Sequence, residues 1–141
     1  MSDVNFIIIP STGMPHQAFV EAAAAVFPAI ADDILDKAWS RLIHLQVACL
    51  TRYANECLSK DNLFEFERML RFIEQVLPKA DSDLDNAIFV SFLEDLKLDG
   101  DAPATQAARQ LLSEEHLHFY TEVQKWHRTA ADWLTQHGGR L

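Results

Sequence analysis

Between Ile34 and Cys57, apolar residues return every three or four positions: Ile34, Leu35, Ala38, Leu42, Leu45, Cys49, Tyr53 and Cys57. That interval is the period of an α-helix, so the stretch predicts a helix over 34–58. Trp39, Ile43, Val47, Leu50 and Ala54 widen the stripe, and a helix apolar over so much of its circumference belongs at the centre of a bundle. Only four glycines are present, Gly13, Gly100, Gly138 and Gly139. Tight hairpin turns and phosphate-cradling loops need residues that tolerate positive φ, so this scarcity favours long helices over hairpins.

Similar periodicity marks the other helices. Residues 16–27 place Phe19, Ala23, Val26 and Phe27 on one side, and Pro28 with Asp32 and Asp33 suits the start of a further turn. Asp61 is the expected N-cap of a helix over 62–77, with Leu63, Phe66, Leu70, Ile73 and Leu77 as its stripe and Pro78 as its end. Ser82 is the expected N-cap of a helix over 83–97, with Asp85 completing a capping pattern. A short helix over 104–112 and a long one over 114–136 follow, the latter ended by His137-Gly138-Gly139. In the last helix Phe119, Trp126 and Trp133 recur every seven residues, a spacing that predicts core packing. Before these helices, residues 1–15 read as an arm. Phe6 to Ile9 can form one short strand there, and Pro10, Gly13 and Pro15 break the chain. The expected fold is all-α: one domain over 16–141, an irregular bundle of about five to seven helices. The helices over 62–77 and 83–97 form its HEAT-like central hairpin.

With 141 residues, 49% of them hydrophobic, nine Phe and three Trp, the chain can build one sizeable core. The N-terminal apolar run is only four residues, flanked by Asp3 and no basic residue, too short for a signal-peptide core or a membrane span. The only cysteines are Cys49 and Cys57. On one helix their separation is about 12 Å along the axis, beyond disulfide reach, so free thiols and a cytoplasmic location are expected.

Several residue patterns invite a chemical reading. Asp81, Asp83 and Asp85 resemble the opening of a calcium loop, but Asn86 stands where that loop needs Gly and Phe92 where it needs a bidentate Glu. A helix start, with carboxylates at the positive end of the dipole, explains the three acids instead. Glu115 and His118 have Glu-x-x-His spacing, but no second such motif exists, and His116 and His118 point about 200° apart around a helix. No nucleophile elbow, His-Glu-x-x-His or Cys/His signature occurs. No catalytic residue, metal or cofactor is therefore expected.

Charge carries more information. The net charge is −9, which disfavours nucleic acid and anionic membranes and favours a basic protein. From Lys79 to Asp101 there are seven acids, Asp81, Asp83, Asp85, Glu94, Asp95, Asp99 and Asp101, opposed only by Lys79 and Lys97. The C-terminal four oppose the helix dipole, a small stability cost that hints at binding. These seven are the expected partner-binding residues.

FEFERMLRFIEQVL followed by DSDLDNAIFVSFLEDL, with VFPAI upstream and AARQLL downstream, resembles a group of small helical bacterial proteins. The matching elements are Phe72-Ile73-Glu74, Asn86 and Phe92-Leu93-Glu94, and the similarity spans roughly residues 26 to 125. Some members of that group stand beside polymorphic toxins of the contact-dependent or Rhs type and act as immunity proteins. The resemblance implies a helical fold and a cognate toxin domain as partner. The alternatives are a small regulatory or adaptor domain and a metal-dependent enzyme using Glu115 and His118.

Overall fold

The computed structural model describes residues 13–137, and these are helical nearly throughout. Helix α1 runs His16–Val26, and a 3-10 turn over Pro28–Ile30 leads into the single turn of α2, Ala31–Ile34. A second 3-10 turn, Lys37–Trp39, precedes α3, Ile43–Ser59. Helix α4 is Leu63–Val76, extended by a turn at Leu77–Lys79. Helix α5, Ser82–Ile88, continues as a π turn over Phe89–Leu93. Helices α6, Pro103–Leu111, and α7, Glu114–Gln136, complete an all-α bundle of seven helices among the described residues. The expected strand at Phe6 to Ile9 and the Gly138-Gly139 ending lie outside the described residues.

Helix α3 is the hub, packed against α2, α4, α5 and the π turn. It buries Val47, Cys49, Leu50, Ala54, Cys57 and Leu58, so the centre of the bundle falls where the sequence places it. Both cysteines are free and buried. The long helix expected over 34–58 is nevertheless interrupted. Asp36 turns its carboxylate back to accept the Ala38 N–H at 2.9 Å, starting a separate 3-10 turn, and Arg41 takes φ of 66°. Leu35, Leu42 and Leu45, expected inside, are 51%, 48% and 44% exposed. The apolar spacing continues across the break because both flanking segments bury residues, which conceals the change of direction. Across this corner the Arg52 guanidinium binds Asp33 at 2.7 Å and holds its carboxyl below the usual range.

Aromatic packing closes the other side. Phe72 lies 5.9 Å from Phe19 and 5.5 Å from Phe27, edge-on to the latter. Arg68 sits over the Phe27 ring at 4.9 Å, donates to the Val26 carbonyl at the end of α1, and pairs with Glu65 at 2.7 Å. Glu65 also accepts the Tyr53 hydroxyl at 2.8 Å, so α1, α3 and α4 share one polar clasp over an aromatic core.

Helix ends differ from expectation by single positions. Asn62, not Asp61, caps α4 by accepting the Glu65 N–H at 3.2 Å, while Asp61 takes φ of 58° and helps to end α3. Asp81, not Ser82, caps α5 by accepting the Leu84 N–H at 2.9 Å. Asp tolerates the left-handed region and Asn caps as well as Asp, so neighbouring polar residues exchange these roles at little cost. Ser113 caps α7, accepting the His116 N–H at 3.2 Å. The arm reaches the body at Met14, which is buried and forms a parallel bridge to Ala80.

Two outcomes follow from this core. Phe72→Ala removes a ring packed against two others and lowers unfolding free energy by about 3–5 kcal/mol, measurable as a fall in urea midpoint. Burial pushes the Cys49 thiol up to about 11 and raises Cys57 and Tyr53 as well. The unfolded chain releases these protons earlier, so the Cys49 contribution is complete below about pH 8.5 and lost as pH rises from about 9 to 11, while that of Tyr53 is lost at higher pH. The urea midpoint should decline across that window.

Candidate partner-binding surface

The seven acids divide into two clusters at opposite ends of the α5–π element, about 18 Å apart at the usual helical rise. At the first end, Asp81 is occupied as the N-cap of α5. Asp83 and Asp85 lie one and three residues into the helix after Ser82, with no hydrogen bond or ion pair to their carboxylates among the described residues. Because α5 is helical here, the three acids cannot wrap an ion as a calcium loop would. Asp85 instead lines an open groove of ≈340 Å³ formed where the end of α4, α5 and the start of α7 meet. Glu74 and Glu115 line the same groove, with Leu77, Pro78 and Phe89 as its apolar surface. Glu74 is paired with Arg71 at 3.0 Å, which leaves Asp85 and Glu115 as the groove's unpaired carboxylates. A groove with apolar walls and acceptors at the rim suits a basic or amphipathic side chain, whose stem packs while its cation meets a carboxylate. The sequence missed this grouping because Glu74, Asp85 and Glu115 belong to three helices.

The second cluster sits on a segment that is not helical. The expected helix over 83–97 ends in the π turn, where the Glu94 N–H bonds the Phe89 carbonyl at 3.0 Å. The chain then runs extended, with Leu96 and Leu98 buried and Asp95, Lys97 and Asp99 exposed. Side chains of the body satisfy its backbone. Asn55 accepts the Lys97 N–H at 2.9 Å and donates to the Asp95 carbonyl at 3.2 Å. Tyr120 accepts the Leu98 N–H at 3.0 Å, and burial raises its phenol above the usual range. Gln124 donates to the Glu94 carbonyl, and Arg109 donates to the Leu98 and Gly100 carbonyls. Glu94 itself pairs with His127 at 3.0 Å. The carboxylates of Asp95, Asp99 and Asp101 have no partner among the described residues and project from a backbone fixed at several points. Period-two alternation in Asp95-Leu96-Lys97-Leu98-Asp99 is the signal that marks this segment as extended.

The remaining reactive residues are dispersed. His116 is buried with its ring 5.8 Å from Phe89, whereas His118 is exposed. Among the described residues no group of three His, Cys, Asp or Glu side chains is placed to hold a metal ion. One pair was invisible in the sequence: His44 Nδ1 and Ser91 Oγ share a hydrogen bond at 2.7 Å across 47 residues. No further hydrogen bond orients His44 among the described residues, and Ser91 is only 9% exposed, so the pair joins α3 to the π turn without completing a nucleophilic triad. Trp126 and Trp133, expected in the core, are 68% and 56% exposed. No described helix is long and apolar enough to cross a membrane.

The two roles within the first cluster can be separated. Asp81→Ala removes a cap and lowers stability by about 1 kcal/mol. Asp83→Ala changes it by less than about 0.5 kcal/mol, since that carboxylate holds nothing. Urea denaturation of both variants measures the difference.

No curated protein and no solved structure matches the chain. A family model does match, over residues 20–127, from the second turn of α1 to the α7 residue that pairs with Glu94. The chain therefore belongs to the family described as Domain of unknown function (DUF7674).

Proposed function

We propose that this protein is a bacterial immunity protein that acts in the cytoplasm, binding the toxic domain of a cognate polymorphic toxin and occluding its active site without catalysing a reaction. The observation that carries the reading is the set of unpartnered carboxylates on a fixed frame: Asp83 and Asp85 on α5, and Asp95, Asp99 and Asp101 on the tethered segment. Toxins that act on nucleic acids or nucleotides need cationic clefts, and fixed acids complement such clefts at little ordering cost. An interface of ordinary size, about 800 Å² on each partner, is about 30 Å across and covers both clusters together. Glu94 and Asp81, engaged within the chain, serve this surface by position rather than by direct contact.

Co-expression with the toxin encoded beside it should restore growth and yield a complex that co-purifies. Converting Asp83, Asp85, Asp95 and Asp99 to Lys should slow association at least about tenfold at low salt and flatten its salt dependence, with Asp81 kept so that α5 stays capped. An unchanged association rate in that variant would exclude the acidic surface, and failure of the unaltered protein to bind or rescue would exclude the function.

A further inference from the structure

Helix α7 carries an apolar seam that outlasts its support. His116, Phe119, Val123, Trp126, Ala130, Trp133 and His137 follow one another at alternating steps of three and four, the spacing of a helix face that meets another helix. The body covers the beginning of this seam: His116 is 9% exposed, and Phe119 packs edge-on to Phe89 at 5.0 Å. Beyond His127, which pairs with Glu94, no hydrogen bond or ion pair ties α7 to the body among the described residues. The seam continues there through the two exposed tryptophans. His137 stacks on Trp133 at 4.2 Å with the planes 16° apart, and its Nδ1–H, donating to the Trp133 carbonyl at 2.8 Å, holds that stack in place.

Charge identifies what can cover this face. The chain bears −9, yet from Glu122 to His137 two acids, Glu122 and Asp132, balance two bases, Lys125 and Arg128. A two-fold interface brings a patch against itself, so an acidic protein self-associates with least repulsion through a surface of near-zero charge. A basic partner gains nothing there and is drawn to the acids instead. We infer that the distal half of α7 is a homodimer interface, in which two copies pack these helices antiparallel. Antiparallel packing keeps the two acidic bodies at opposite ends. It also sets Trp126 against the partner copy's Trp133, with the small Ala130 near the axis, where helices approach most closely. A tryptophan presents up to about 250 Å², so the two indoles of each copy offer about 300 Å². That is about half the area of a small specific interface when both copies are counted, so the dimer is a weak and reversible one. This inference is independent of the toxin.

Sedimentation velocity of the full chain, from low micromolar to about 200 µM, should show a concentration-dependent monomer–dimer equilibrium. Trp126→Glu with Trp133→Glu should abolish the dimer while the helical circular dichroism is retained, since neither side chain supports the fold. Ala130→Cys should form a disulfide-linked dimer on mild oxidation much faster than Asp132→Cys, the native cysteines being buried. A monomer at every concentration would overturn the inference, including a monomer whose tryptophans emit as buried, which would assign the face to residues 1–12. Association that continues past the dimer, or that survives the double Glu substitution, would overturn it as well.

Discussion

The structure depends on a requirement that helical bundles meet mostly at their ends: backbone groups that leave the helical ladder under cover must find other partners. Here the demand falls on the chain that follows the π turn. A π turn widens the helix and releases carbonyls early, and the next residues run extended alongside α3, α6 and α7. Thr51 donates to the Ser91 carbonyl at 2.5 Å, and Asn55, Tyr120, Gln124 and Arg109 satisfy the groups beyond it. These contacts fix three separate helices around one segment. They use side chains that look unremarkable in sequence, an amide here and a hydroxyl there, and they explain why polar Thr51 can lie on the buried face of α3.

The same constraint places the acids. With its main chain held from below, the segment turns Leu96 and Leu98 inward, so its charged residues face solvent by alternation. Fixed carboxylates repel one another and would be eased by a flexible loop. The frame prevents that relaxation, so their field persists at the surface and is available to a cationic partner. The cost of holding like charges together is small at surface dielectric and falls further with salt. A modest loss of stability therefore accompanies a surface that needs little ordering on association.

Much of the helical architecture was legible in the sequence, and the errors have identifiable causes. Helix α4 was readable from Leu63, Phe66, Leu70 and Ile73, because a single buried stripe with a proline beyond it admits one interpretation. The hub position of α3 was readable from its wide apolar face. The break before α3 was not, because Asp36 and Arg41 interrupt the backbone without interrupting the apolar spacing. The exposed tryptophans show a related limit: a seven-residue repeat states that a face is apolar, and says nothing about whether this chain covers it. For the candidate surface, the acid cluster was visible as a run of charge. The groove joining Glu74, Asp85 and Glu115 was not, since it depends on how three helices meet.

The bridge at Met14 alters how the domain can come apart. Met14 donates its N–H to the Lys79 carbonyl at 2.6 Å, and the Asp81 N–H donates to the Met14 carbonyl at 3.0 Å. Asp81 is also the residue that opens α5. Four helices are thereby enclosed between two points of the chain that touch, like a loop of cord tied at its neck. Peeling from the amino end beyond Met14 must undo that knot and disturb the first turn of α5 in the same event. Local fraying and global opening are merged there into one cooperative step.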